Sequence, residues 1–168
     1  MSNSEPSDEE LMQNLKDGDS EALLHLFERY SGNAWTYLNK RVSSDHVDDL
    51  FQDSFVKIFE KRHKWNNQPF VMWFYVIMRN LVMDSYRRNK IEEKSMSEFF
   101  RRNDLNNDKN FEDILSDLPS DSSRLLTEYF REGWTYKELA KSNNSSEFSL
   151  RKRLSRAIKM LRNVGSDE

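Results

Sequence analysis

The stretch from Asp48 to Lys90 constrains the fold more than any other, because it joins two long helical patterns through one polar loop. In the first pattern, apolar side chains recur at steps of three and four residues, which is the period of an amphipathic α-helix. These apolar positions are Val47, Leu50, Phe51, Phe55, Ile58 and Phe59. Another face carries acidic and amide side chains, at Asp45, Asp49, Gln52 and Asp53. The pattern predicts one buried face and one face that is available to a partner.

The segment from Lys64 to Pro69 is too polar, and too interrupted by proline, to continue that helix. We expect it to form a surface loop with the indole of Trp65 and three amides exposed, at Asn66, Asn67 and Gln68. Such side chains stack on an unpaired base or hydrogen-bond its edge. From the residues alone, an ordinary loop that Trp65 anchors to the core fits equally well.

The second helical pattern is apolar on the predicted inner side, at Phe70, Val71, Phe74, Tyr75, Met78, Leu81 and Val82. Its predicted outer side carries cations and amide or phenol donors, at Arg79, Asn80, Tyr86, Arg87, Arg88 and Lys90. Aromatic groups beside cations suit a melted DNA strand, because stacking ignores sequence and positive charge follows the phosphates. Cations that complement the helix dipole are the simpler explanation of the same cluster.

Charge is segregated along the chain, although the net charge of −3 alone would argue against a nucleic-acid partner. Residues 1–30 contain eight acidic and two basic side chains, whereas residues 136–163 contain eight basic and two acidic ones. The absence of cysteine excludes disulfides and thiolate metal sites. No apolar run reaches the roughly 20 residues of a membrane span, so we expect a cytoplasmic protein without membrane insertion.

The remaining segments predict an all-α chain of two small helical domains. Capping boxes at Ser7 to Glu10 and at Thr135 to Glu138 each mark the start of a helix. Four helices are expected in a first bundle at residues 7–92, and a charged, Asn-rich flexible linker at residues 93–110. Residues 111–164 predict a helix-turn-helix unit. Its last helix is expected to bury Phe148, Leu150, Leu154, Ile158 and Leu161.

Two parts of the sequence resemble one known family. The run DDLFQDSFVKIF, then Trp and a polar loop, then FVMWFYVIMRNLVMDSYRR, closely resembles the second conserved region of bacterial group IV (extracytoplasmic-function, ECF) RNA polymerase sigma factors. The run LPSDSSRLLTEYFREGWTYKELA followed by SLRKRLSRAIKMLR resembles the fourth region. The chain departs from the family at the turn, where the family usually has an apolar residue, a glycine and a second apolar residue and this chain has Asn143, Asn144 and Ser145. Asn144 still tolerates the left-handed backbone conformation that a glycine would adopt.

The resemblance implies a sigma factor, with no catalytic residues and no cofactor, that directs promoter recognition, promoter opening and transcription initiation. Its implied partners are promoter DNA, an anti-sigma factor, and the clamp coiled coil and flap region of core RNA polymerase. The implied core-binding residues are Asp48, Asp49, Leu50, Gln52 and Asp53. Those implied for the minus-ten element are Trp65, Asn66, Asn67, Gln68, Arg79, Asn80, Tyr86, Arg87 and Arg88. Among them, Trp65 would either stack on a base or frame its pocket. Those implied for the minus-thirty-five element are Ser149, Lys152 and Arg153 on bases, and Arg151 and Arg156 on phosphates.

Three other interpretations stay open at this point. A degenerate sigma-like protein would bind polymerase but read DNA poorly, because the turn of its helix-turn-helix is polar. A helical adaptor or sequestering protein would bind polymerase or an acidic partner without reading DNA. A metal-dependent phosphohydrolase using His46, Asp48, Asp49 and Asp53 is disfavoured, because these carboxylates are expected to face solvent and His25, His46 and His63 lack ligand spacing.

Overall fold

The computed structural model describes residues 4–91, 109–132 and 134–166, and all regular elements in these ranges are helical. The first four helices are α1 (Asp8–Lys16), α2 (Glu21–Arg41), α3 (Ser44–Glu60) and α4 (Phe70–Arg88), with a 3-10 turn at Arg62–Lys64. The second group is α5 (Lys109–Leu115), α6 (Ser120–Leu126), a π-helical turn (Thr127–Arg131), α7 (Tyr136–Ser142) and α8 (Glu147–Ser166). The predicted all-α class is confirmed.

Helices α1 to α4 form one bundle, in which α2 packs on both α1 and α3, and α4 packs on α2 and α3. Helix α1 begins with the predicted capping box, since the Ser7 hydroxyl accepts from the Glu10 N–H and the Glu10 carboxylate accepts from the Ser7 N–H. The Glu9 carboxylate accepts from the N–H of Phe70 at 2.9 Å. One acidic helix therefore also caps the start of α4 and fixes where the polar loop ends.

The bundle core is rich in aromatic residues. Tyr30 packs edge-on against Phe70 at 4.8 Å between ring centroids, and Phe74 packs against Tyr75 at 5.2 Å. Burying each such side chain contributes about 2 kcal/mol, so α4 is held chiefly by its aromatic face. Helix α4 is buried around most of its circumference, including positions outside the predicted inner stripe, at Met72, Trp73, Ile77, Met83 and Tyr86.

Helices α7 and α8 form the predicted helix-turn-helix. The Thr135 hydroxyl and the Glu138 carboxylate make the predicted capping box at the start of α7. Asn144 has φ +49°, which confirms the left-handed conformation expected at the turn. The Asn143 amide donates to the Leu139 carbonyl at 2.7 Å and closes the end of α7. The polar side chain of Asn143 therefore satisfies a carbonyl at the end of the helix.

The two helical groups touch through α4. The Tyr75 ring packs edge-on against Phe111 of α5 at 5.5 Å between centroids. The buried Arg41 side chain donates from Nη2 to the Arg131 carbonyl at 2.8 Å, across the boundary between the groups. A hydrogen bond from a charged donor contributes about 1.5 to 3 kcal/mol, so this bond helps to hold the two helical groups together.

The structure differs from the sequence predictions in specific places. Phe148 was expected in the core but is 69% exposed, and Phe59 is 40% exposed. The predicted linker at residues 93–110 lies outside the described residues, apart from its last two positions, which begin α5. None of the described helices is long and apolar enough to cross a membrane.

Candidate nucleic-acid interface

Helix α3 presents the predicted acidic stripe to solvent. Asp48, Asp49, Gln52 and Asp53 are exposed, because the apolar positions between them face α2 and α4. Leu50 is 2% exposed and belongs to the core. Its side chain packs inside the bundle beneath the stripe, so a direct contact of Leu50 with a partner stays a prediction.

The acidic stripe borders an open groove of about 360 Å³ between α3 and the end of α4. From α3 the groove is lined by His46, Asp49, Leu50, Gln52 and Asp53, and from α4 by Ser85, Arg88 and Asn89. Arg88, a predicted DNA contact, therefore lies beside residues predicted to bind polymerase. The two predicted surfaces adjoin each other on one rigid bundle.

Trp65 frames the loop and does not stack on its outer surface. Its indole is 3% exposed, and Nε1–H donates to the Gln68 carbonyl at 3.0 Å. The Lys16 ammonium lies 5.7 Å from the ring centroid and donates to the Trp65 carbonyl at 3.2 Å. The predicted exposed indole is thus wrong, because two hydrogen bonds and burial hold Trp65 inside; the framing role that the sequence also allowed fits this geometry.

The three amides of the loop are not equivalent. The Gln68 side-chain oxygen accepts from the Asn66 N–H at 3.0 Å, and the Gln68 side chain is half-buried. Asn67 takes a left-handed conformation with φ +56°, and the side chains of Asn66 and Asn67 are exposed. The loop is therefore a preformed tight turn that presents two of its three amides to solvent.

Tyr86 belongs to the core and does not face the outer side of α4. It is 3% exposed, and its hydroxyl donates to the Arg41 carbonyl at 2.5 Å. Burial raises the pKa of the phenol well above its ordinary value. The predicted exposed position of Tyr86 is wrong, because the ring fills the space between α2 and α4, and its contact with DNA stays a prediction.

Asn80, Arg87 and Arg88 lie on the exposed side of α4, as the sequence predicted. The Arg87 guanidinium pairs with Asp84 on the same helix at 2.9 Å. A pair this exposed is worth less than about 1 kcal/mol, so it leaves Arg87 available to a phosphate.

Arg79 is held by the second helical group. Its Nε donates to the Tyr129 carbonyl at 3.2 Å, and its guanidinium lies 4.4 Å from the Tyr129 ring centroid. Tyr129 stacks on Tyr136 at 4.9 Å, and the Arg151 guanidinium lies 4.8 Å from the Tyr136 ring on α8. Burial, then hydrogen bonding to Tyr129, raise the pKa of Tyr136 to about 12. These four side chains form a column that links a predicted minus-ten residue to a predicted minus-thirty-five residue.

Sequence reasoning missed Tyr129, Tyr136 and Arg41 as contacts between the groups. The sequence pattern predicts Tyr129 only as an apolar position of a helix, and it predicts Arg41 only as a cation that complements the dipole at the end of α2. No local pattern signals that an aromatic ring in one helix meets a guanidinium 50 positions earlier.

Helix α8 keeps one apolar side and one basic side. Leu150, Leu154, Ala157 and Leu161 are buried. Arg151, Lys152 and Arg156 are exposed, whereas Ser149 and Arg153 are half-buried. All five predicted minus-thirty-five residues therefore lie outside the core, with Lys152 the most central of the exposed cations.

The acidic residues that a metal-dependent hydrolase would use do not converge. Within residues 4–91, 109–132 and 134–166, no group of three His, Asp or Glu side chains is placed to hold a metal ion.

Comparison with known proteins agrees with the resemblance seen in the sequence. Residues 26–91, which contain α3, the polar loop and α4, match the family model of sigma-70 region 2. The chain is 23% identical to the ECF RNA polymerase sigma factor SigM of Bacillus subtilis over 158 residues, which covers 85% of this chain and 96% of that protein. It is 22% identical to the ECF RNA polymerase sigma-E factor of Haemophilus influenzae over 178 residues, with 94% of each chain covered.

Two solved structures are similar to the chain over most of its length. CnrH in complex with the cytosolic domain of CnrY has a TM-score of 0.43 and 20% identity, covering 97% of this chain and 99% of that one. The RsbN-BldN complex has a TM-score of 0.41 and 20% identity, covering 91% and 98%. Residues 26–91 thus match sigma-70 region 2, and the chain is similar to ECF sigma factors over most of its length.

Proposed function

We propose that this chain is an ECF sigma factor, which binds core RNA polymerase through the exposed stripe of α3 and directs initiation at promoters that both helical groups read. The observation that carries the proposal is the acidic stripe of Asp48, Asp49, Gln52 and Asp53, which lies on the same rigid bundle as the amide-bearing loop. A basic coiled-coil surface of the polymerase would meet these carboxylates, and Leu50 would support the stripe from beneath.

On promoter DNA, the turn at Asn66 and Asn67 would receive a base flipped from the melted minus-ten strand, with Gln68 and Trp65 holding the shape of the pocket. Two amide side chains supply donors and acceptors for a Watson–Crick edge, and the buried indole keeps the turn rigid. Asn80 would read a base, and Arg87 and Arg88 would bind phosphates.

We assign minus-ten recognition and core binding to residues 7–92, the linker to 93–110, and minus-thirty-five recognition to 111–164. Helix α8 would lie in the major groove, with Lys152, Ser149 and Arg153 toward base edges. Arg151 and Arg156 at its flanks would bind phosphates. Because Arg79 and Arg151 are held at the two ends of the tyrosine column, we infer that the two groups separate when polymerase and promoter bind.

Sigma factors as a family are not enzymes, and we propose that this chain has no catalytic activity of its own. Because its proposed partners are polymerase and promoter DNA, we propose that it acts in the bacterial cytoplasm. An anti-sigma factor as a further partner remains a prediction from the family resemblance. The sigma-factor relatives span both helical groups, so they do not favour the adaptor alternative.

The test is transcription by purified core polymerase, with and without the protein, on a genomic DNA library. We expect specific initiation that Asp49→Ala weakens through core binding, while Glu28→Ala, which removes an exposed carboxylate of α2, has no effect. Asn80→Ala should change promoter choice, whereas Asn39→Ala on α2 should not. Absence of core binding, or of specific initiation, would refute the proposed function.

A further inference from the structure

Phe148 is the most exposed of the large apolar side chains in the part of the chain that the structure describes, at 69%. It is the second residue of α8, after Glu147. It is among the apolar residues predicted to be buried, but the ring points away from the core. A single exposed ring is common on a protein surface, so what it can do depends on the residues around it.

The position of Phe148 on α8 identifies these residues. Successive residues of a helix are rotated by about 100°, so the exposed residues opposite the buried leucines are Phe148, Lys152, Ser155 and Lys159. The Lys152 ammonium lies 4.6 Å from the Phe148 ring centroid, one turn along the helix. In this stripe the ring therefore adjoins Lys152, which we assign to base edges, and a cation–π contact between the two holds the ring against the helix.

A phenyl ring gains nothing from phosphates, so its role in this stripe differs from that of the cations. The N-terminal residues of a recognition helix are the ones that approach base edges in the major groove. The apolar group that the major groove offers at a base edge is the C5 methyl of thymine. We propose that Phe148 packs on the methyl group of a thymine in the minus-thirty-five element and makes that base pair a specificity determinant. This inference rests on the proposed function and adds a residue to it.

The experiment removes the methyl group without changing the base pairing. Holoenzyme binds a promoter fragment recovered from the library, in which each thymine of the minus-thirty-five element is replaced in turn by deoxyuridine. We expect one position at which uracil weakens binding about fourfold, which is the worth of one buried methyl group. Phe148→Ala should lose that sensitivity, and Phe148→Leu should keep part of it.

Met160→Ala is the matched control, because Met160 is an exposed apolar residue of α8 that lies to the side of the stripe. It should keep the full sensitivity to uracil. Equal binding of thymine and uracil fragments by the wild type, a selected element without thymine, or full sensitivity retained by Phe148→Ala would each refute the inference.

Two further outcomes separate this inference from the proposed function. Weaker binding of Phe148→Ala to core polymerase in the absence of DNA would assign the ring to a protein contact and overturn the inference. Failure of the wild type to initiate on any template would refute the proposed function itself. Initiation that persists without a methyl effect would refute the role of Phe148 alone.

Discussion

Replacement of Arg79 by glutamine should loosen the contact between the two helical groups by about 2 kcal/mol. The Nε hydrogen bond to the Tyr129 carbonyl contributes about 1 kcal/mol, and the guanidinium over the Tyr129 ring adds about as much. This amounts to roughly a 30-fold change in the ratio of closed to open forms. The contact of Arg41 with the Arg131 carbonyl remains in the variant, so part of the attraction is kept.

The assay is the transfer efficiency between two dyes on the free protein, followed through a urea titration. Because the chain has no native cysteine, Glu28→Cys on α2 and Lys159→Cys on α8 supply unique labelling sites, and both positions are exposed. Arg79→Gln should open at lower urea than the wild type, whereas Arg87→Gln, whose ion pair is local to α4, should not. An opening free energy unchanged within about 0.5 kcal/mol would show that Arg79 does not hold the groups together.

Two substitutions test the buried positions of Tyr86 and Leu50. Tyr86→Phe should cost about 1 kcal/mol at pH 8 in chemical denaturation, because it removes the bond to the Arg41 carbonyl. Because the pKa of Tyr86 is raised in the folded chain, the unfolded chain loses this proton at lower pH, so the wild-type free energy of unfolding is intact below about pH 10 and falls above it. The free energy of unfolding of Tyr86→Phe should fall less steeply with pH, and an equal fall in both proteins would contradict this reasoning. Leu50→Ala should cost about 2 to 5 kcal/mol of folding stability, and a loss of core binding without a loss of stability would support Leu50 as a contact residue.

Local patterns predicted the elements well. Both capping boxes form as expected from Ser7 and Thr135, because the hydroxyl, the carboxylate and the two N–H groups all lie within four consecutive residues. Asn144 adopts the left-handed conformation for an equally local reason. The acidic stripe of α3 followed from its 3.6-residue period, since only one side of that helix packs on its neighbours.

Positions whose environment depends on distant segments could not be predicted in the same way. Tyr86 has the polar tip of an exposed residue, but its hydroxyl finds a carbonyl at the end of α2 and the ring is buried. Trp65 stands in a polar loop, yet it has a carbonyl partner three residues away and Lys16 beside it. Phe148 errs in the opposite direction, since it was predicted as core because it is apolar. Two positions before Leu150 it lies about 200° around the helix from that residue, so the helical period by itself would have placed it on the exposed side.

Arg79 and Arg151 show why charge and function cannot be read from composition alone. Each guanidinium lies on a tyrosine ring, and the two rings stack on each other, so the column engages the half-buried Arg79 at one end and the exposed Arg151 at the other. A phosphate that takes one arginine removes one end of the column, which weakens the contact that the other end supports. By linkage, phosphate binding to either arginine makes separation of the helical groups easier, and separation makes phosphate binding tighter by the same free energy. If polymerase separates the two groups on the promoter, as we propose, it would therefore lower the cost of freeing both arginines for DNA.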